Sequence, residues 1–239
     1  AFALHIMPNA PFGVLAGRPG PLLAAADQFT ITVSGQGGHA SMPHDCVDPM
    51  PGAAALVGAI QSMVTRRFNA ASAVIVTVTQ FHAGTTFNVI PDSATLNGTI
   101  RTLCPEHRQK ARKLLAETAE HVAAAHGLTA TCEVVEGFPV TICDPRAVAL
   151  GKTVATRIGG ESGWRDLADP IMGAEDFSYM LQAKPGAYVL ISNGDGAHRE
   201  MGHGGGPCTL HNPSYDFNDD LIPLGATYWV ELARRWLAR

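Results

Sequence analysis

The sequence predicts an α/β domain interrupted by an inserted α+β module of the split βαβ (ferredoxin-like) kind. Three observations carry this. Residues 27–138 read in the order strand, helix, strand, strand, helix, strand, which sets two helices on one face of an antiparallel sheet. Beyond Pro139 strand and helix candidates alternate, the pattern of α/β architecture. A short apolar strand at residues 2–7 stands before the module, cut off from the rest of its own domain. The chain therefore divides at 1–26, 27–139 and 140–239, the first and last segments forming one domain.

Each element has its own signal. Residues 2–7, FALHIM, are too short for a helix and are closed by Pro8, so they read as a buried strand. The Pro- and Gly-rich stretch that follows, to residue 26, reads as a loop or crossing linker. Phe29, Ile31 and Val33 alternate with Thr30, Thr32 and Ser34, the period of a strand with one covered face. In GQGGHAS, residues 35–41, three glycines call for a sharp turn of a backbone that side chains would forbid. Asp48 suits the N-cap of a helix reaching Arg67, with Leu56, Ile60, Met63 and Val64 at helical spacing. Residues 73–81 and 94–102 are two more alternating strands. Residues 105–126 form an amphipathic helix, with Pro105 in its first turn and Gly127 at its stop, and 129–135 supply a fourth strand. The last segment holds helices at 145–158, 176–182 and 223–238 and a buried strand at 187–192.

With 239 residues, 46% of them hydrophobic, the chain can bury ordinary cores. Lys and Arg number 17 against 21 Asp and Glu, so the net charge of -4 leaves no footprint for nucleic acid or an anionic membrane surface. Small molecules and other protein chains are the expected partners. Cys46, Cys104, Cys132, Cys143 and Cys208 form no C-x-x-C pair, which argues against a disulfide framework or zinc ribbon and fits the reducing cytoplasm. No apolar run approaches the roughly 18 residues of a membrane span, and the opening AFALHIMP lacks the basic start of a signal peptide. Ala1 falls inside a strand, so further sequence is expected upstream.

Several of the ten histidines sit in Gly- or Pro-bearing loops, the usual home of binding groups. His5 lies in an apolar strand, where an imidazole needs a backbone carbonyl or a metal to offset lost hydration. His211 stands in CTLHNPSYDFND, and His198 and His203 precede it in GDGAHREMGHGGGPC; metal coordination and a flexible polar loop both fit these two. His39, in GGHAS, is either a surface turn residue or a group whose glycine neighbours let a substrate come close. Asn88 in FNVIPD and Arg101 in GTIRT occupy neighbouring elements and together could grip a carboxylate, as readily as they could cap a loop and solvate a strand. Glu175 and Asp176 stand at a helix start, where acids cap by default, although Glu175 could also line a pocket.

GQGGHASMPH at 35–44, QFHAGTTFNVIPDSATLNGTIRT at 80–102, MGAEDFSYML at 172–181 and LHNPSYDFND at 210–219 change the balance. In this order the four strings resemble the M20 metallopeptidase family, and in particular its amidohydrolase branch of hippurate hydrolases, aminoacylases and plant auxin-conjugate hydrolases. The resemblance implies a catalytic α/β domain with two divalent metal ions, zinc or manganese, and an inserted lid domain through which the protein forms a homodimer. His5 and His211 match metal-binding histidines. His39 matches the lid histidine that reaches the partner subunit's active site and polarises the scissile carbonyl, so it is the expected catalytic residue. Asn88 and Arg101 match lid residues that contact substrate, Arg101 through the carboxylate of the amino-acid moiety, and Glu175 is a further candidate at the substrate.

The implied reaction is hydrolysis of the amide bond of an N-acyl amino acid such as hippurate by metal-activated water. The family's H-x-C-G-H-D-x-H segment and Glu-Glu pair, which supply other ligands and the general base, do not occur in these residues. A second expectation therefore stands beside the enzyme: a non-catalytic fragment or degenerate homologue that pairs through its lid sheet as an interaction module. A third expectation, metal-free amidase chemistry, has little support, for no Ser or Cys stands in a setting such as G-x-S-x-G.

Overall fold

The computed structural model describes every residue except 8, 9, 200, 201, 203 and 239, so the predicted breaker Pro8 and His203 lie outside the described residues. The chain opens with strands β1 (Phe2–Met7), β2 (Leu15–Gly17), β3 (Gly20–Leu23), β4 (Ala25–Ser34) and β5 (Gly38–His39), followed by helix α1 (Pro49–Arg67). Strands β6 (Val74–Ala83), β7 (Val89–Ile90) and β8 (Ser93–Thr102), helix α2 (Pro105–Ala125) and strands β9 (Thr129–Glu136) and β10 (Thr141–Cys143) come next. Helix α3 (Pro145–Gly159), strand β11 (Trp164–Asp166), helix α4 (Phe177–Ala183), strand β12 (Ala187–Ser192) and helix α5 (Leu221–Leu237) complete it. By packing, the chain divides into two units: Ala1–Leu22 with Thr141–Ile171 and Asp176–Arg239, and Leu23–Val140 with Met172–Glu175.

The first unit is built on a sheet of order β1-β12-β2-β11, in which β12 runs parallel to β1 and antiparallel to β2. Every residue of β12 is buried, as an interior strand with strands on both sides requires. β1 forms where expected but is half-buried rather than buried, and His5 is exposed, because among the described residues β1 is an edge strand paired only with β12. The expected linker after β1 is likewise not a plain loop. It holds β2 and β3, and Leu15, Ala16, Leu22 and Leu23 are buried; apolar pairs between breakers are enough for strands of three or four residues when the core receives them. Asp144 starts α3 by accepting the Arg146 and Ala147 N–H groups at 2.9 and 3.1 Å.

The second unit is the split βαβ module. Its sheet has the order β6-β8-β4-β9 with every pair antiparallel. Phe29, Ile31, Val33, Leu96 and Ile100 share one core with Leu56 and Ile60 of α1 and Leu114 and Leu115 of α2. The predicted caps are present: the Asp48 side chain accepts the Met50 N–H at 2.9 Å, and Gly127, at φ +72°, follows the end of α2. Gly98 is needed inside β8 because its cross-strand partner is Phe29; a Cβ there would stand 2.4 Å from the Phe29 ring and 2.0 Å from the Thr77 carbonyl oxygen.

At one end of this sheet a carboxylate is buried with two arginines. Asp27, only 2% exposed, accepts from Arg108 Nη2 at 2.5 Å, Arg112 Nε at 2.7 Å and the Gly137 N–H at 3.1 Å. Arg108 also donates to the Gly137 carbonyl at 3.0 Å, and Arg112 pairs with Glu136. Burial alone would raise the Asp27 carboxyl, but the Arg108 and Arg112 hydrogen bonds, with the Gly137 N–H, outweigh it and hold the group down at about 2. Because this value lies below the ordinary 3.8, the contribution is complete above about pH 4 and is lost as pH falls toward 2. Asp27→Ala is expected to cost about 3–5 kcal/mol in urea denaturation at pH 7, since it leaves Arg108 without a carboxylate and Arg112 with Glu136 alone. Between pH 4 and 2 the wild type should lose roughly 2 kcal/mol more stability than Asp27→Asn.

Candidate active site

His39 and Asn88 meet at the end of the second unit where Ser34 pairs with Ser93. β5 and β7 form a two-residue ladder in which His39 faces Val89, and the Ala40 N–H donates to the Asn88 carbonyl at 3.1 Å. The glycines of this segment act otherwise than expected. None of Gly35, Gly37 and Gly38 has a positive φ. They are required by close approach: a Cβ would lie 2.0 Å from the Val47 carbonyl oxygen at Gly35, 2.3 Å from that of Ile90 at Gly37 and 2.6 Å from Cys46 Sγ at Gly38. Asp92 braces the segment from the other side by accepting the Gly37 N–H at 2.8 Å.

The His39 ring is exposed, and its Nδ1 is occupied. The Ser41 N–H donates to it at 3.1 Å, and Ser41 Oγ lies 2.8 Å away. A backbone N–H can only donate, so Nδ1 is the acceptor and the proton of the neutral ring belongs to Nε2. His39 thus presents an N–H donor to whatever approaches. The sequence reading left Ser41 and Asp92 without roles; a serine two residues after a histidine in a tight segment is the signal that could have found the first.

Arg101 lies at the opposite end. It pairs with Ala26 and Ile75, eight residues along β8 from Ser93, which at ~3.3 Å per residue is roughly 26 Å. Asn88 and Arg101 therefore cannot share one carboxylate within a single copy, contrary to the sequence expectation; strand length separates what sequence proximity seemed to join. The segment that carries Glu175 belongs to the Arg101 end, because the Ala24 N–H donates to the Gly173 carbonyl at 2.8 Å just before β4 begins. Glu175 is half-buried there, and Asp176 takes the N-cap position of α4 without a side-chain capping bond.

In the first unit His5 and His211 are both exposed. His5 Nδ1 donates to the Ile6 carbonyl at 2.7 Å, which leaves Nε2 as the acceptor, the arrangement of a metal-binding imidazole held by its second nitrogen. Its ring stacks on buried Tyr188 at 5.8 Å. His211 has φ +65°, a left-handed backbone uncommon outside glycine, within a turn closed by the Asn212 N–H on the Thr209 carbonyl. The loop that bears it is tied to the C-terminal end of β12: Asn193 donates to the Asp216 carbonyl and accepts the Asn218 N–H, both at 2.9 Å. The Asn193 N–H bonds the Met7 carbonyl, so this is also the end of β1 that follows His5, the edge where open α/β sheets bind ligands. His198 Nε2 donates to the same Asp216 carbonyl at 3.1 Å and so helps close the loop. No group of three His, Cys, Asp or Glu able to hold a metal forms among the described residues. His5 fits a single ligand; the described residues do not fit a complete metal centre.

Residues 25–127 match the M20 peptidase dimerisation domain. Over 99% of its length the chain is 31% identical to IAA-amino acid hydrolase ILR1-like 4 of Arabidopsis thaliana, covering 53% of that protein. It is also 31% identical to hippurate hydrolase of Campylobacter jejuni, over 99% of the chain and 59% of the relative. The chain belongs to the M20 peptidase family. It spans a little over half the length of these curated relatives. Among solved structures, a Bacillus subtilis protein described as a dinuclear metal binding M20 peptidase superposes with TM-score 0.75 at 27% identity, over 97% of this chain and 55% of that one. A methicillin-resistant Staphylococcus aureus structure, at 23% identity, shares the fold with TM-score 0.82 over 97% of this chain and 57% of its own.

This M20 chain has five unpaired cysteines, and no helix among its described residues is long and apolar enough to cross a membrane. The left-handed His211 gives a test free of metal and substrate. Since a left-handed L-residue costs about 1–2 kcal/mol, His211→Gly is expected to unfold at the wild-type temperature or above it in thermal scans. His211→Val, β-branched, should lose about 1–2 kcal/mol.

Proposed function

We propose that the complete protein is a homodimeric, metal-dependent amidohydrolase that cleaves N-acyl amino acids such as hippurate in the cytoplasm. The observation that carries this reading is the separation of the substrate-directed groups to two ends of one sheet: His39 and Asn88 at the Ser34–Ser93 end, Arg101 and the Glu175 segment at the other. Such a module serves two active sites. Arg101 and Glu175 act in the site of their own subunit, and His39 and Asn88 complete that of the partner through the matched dimerisation domain.

The roles follow from the chemistry of the groups. His39, protonated at Nε2, donates to the carbonyl oxygen of the scissile amide as negative charge gathers there, a contribution of about 3–4 kcal/mol for a well-placed donor. Arg101 pairs with the substrate carboxylate through its two-pronged guanidinium. Asn88 and Glu175 line the substrate's path. His5 and His211 each give one ligand to a pair of zinc or manganese ions whose other ligands, with the proton-carrying carboxylate, come from outside these 239 residues. When bound, such ions supply Lewis acidity and an activated water.

The absence of a three-ligand cluster among the described residues favours a second reading for this length of chain, a dimerising module without turnover of its own. Hydrolysis of hippurate by the 239 residues with added zinc or manganese would remove that second reading. The two-site geometry is tested in the full-length enzyme with His39→Ala and Arg101→Ala, each expected to lower kcat/KM at least ~100-fold. Mixed in equal amounts and allowed to exchange subunits, the two inactive variants should recover about a quarter of wild-type activity, because half the dimers are hybrids and each hybrid has one intact site. No recovery despite proven exchange would place both residues in the same site and overturn the reading.

A further inference from the structure

We infer that Ser41 is the positioning residue that holds His39 in its Nε2–H form, an inference that rests on the proposed role of His39 as a donor to the scissile carbonyl. The His39 Nδ1 receives two contacts from one residue, the Ser41 N–H at 3.1 Å and Ser41 Oγ at 2.8 Å. The first fixes the direction, since an N–H has no lone pair to offer. The second follows it: with Nδ1 already an acceptor, the hydroxyl must donate. If the proton moved to Nδ1, the ring N–H would point at the Ser41 N–H and lose that bond. The alternative tautomer would also present a bare Nε2 lone pair to a carbonyl oxygen, two acceptors facing each other.

The segment is built to keep this contact. Ser41 reaches Nδ1 because residues 39–42 fold back on themselves, with the Met42 N–H on the His39 carbonyl at 2.8 Å, while the Ala40 N–H is held by Asn88 across the β5–β7 ladder. The ring is exposed, and its only described hydrogen bonds are those from Ser41. An exposed imidazole in water interconverts its tautomers freely, so the bias must come from within the segment. Ser41 supplies it through its backbone N–H, which the hydroxyl then supports, in the way that the second nitrogen of a working histidine is ordinarily fixed by a neighbouring group.

Two measurements test this. In the present chain labelled with 15N-histidine, long-range 15N–1H correlation at pH 8 should show His39 with a protonated Nε2 and an unprotonated Nδ1. Ser41→Pro, which removes both the backbone N–H and the hydroxyl, should shift the pair toward the free-imidazole mixture, whereas Ser41→Ala, which keeps the backbone donor, should keep the wild-type pattern. In the full-length enzyme Ser41→Pro should lower kcat for hippurate about fivefold, the equivalent of one ordinary hydrogen bond, with KM changed less than about twofold and kcat kept in Ser41→Ala. A wild-type ring protonated at Nδ1, or a Ser41→Pro variant with unchanged tautomers or unchanged kcat, overturns the inference. His39→Ala separates the two levels: full activity in that variant defeats the donor role itself, whereas a dead His39→Ala beside an unaffected Ser41→Pro defeats only the assignment of Ser41.

Discussion

The inserted module depends on one buried carboxylate. Asp27 stands in β4 on the core side of the sheet and is satisfied by two arginines of α2 and by the backbone just past β9. A charge so placed is tolerable only when every partner is in position, so the contact fixes the register of β4 against β9 and the azimuth of α2 together. The Ala26 N–H on the Phe138 carbonyl and the Ala24 N–H on the Gly173 carbonyl lie at the same end. The base of the module is therefore cross-braced where the chain enters it, where it leaves, and where the segment before α4 returns to it.

A braced base gives the far end its use. The ten-residue strands β4 and β8 carry His39 and Asn88 roughly 26 Å beyond Arg101. There the chain forms a small second ladder, β5 on β7, packed so tightly that a Cβ at Gly35 or Gly37 would strike a backbone carbonyl. Rigidity at this tip comes from backbone approach and from Asp92, not from a hydrophobic core, since His39 and its neighbours through Asp45 are exposed. An exposed but conformationally determined histidine suits a group that acts on something brought to it from outside its own unit.

Much of this was legible in the sequence, and the exceptions share a cause. Long periodic segments such as 105–126 and 129–135 became α2 and β9, and Asp48 stands at the N-cap of α1 because caps act over two or three residues. The strands β2, β3, β5, β7, β10 and β11 are two to four residues long, too short to show any period, and exist only because a partner from elsewhere in the chain receives them. His5 was expected to be buried from the apolar run around it, yet burial of a strand depends on having neighbours on both edges, and β1 has one.

The sequence alone determined the class of fold, the family and the identities of the residues able to do chemistry, because hydrophobic period, capping residues and motif strings are local properties of a chain. Tertiary structure alone decided how those residues are grouped. It set Arg101 with the Glu175 segment and His39 with Asn88, turned the glycines of GQGGH from turn formers into close-packing positions, placed His211 in a left-handed turn and put Ser41 on the His39 ring. Each of these depends on which distant segment arrives beside a residue, and strand register and sheet order carry that information where spacing along the chain does not.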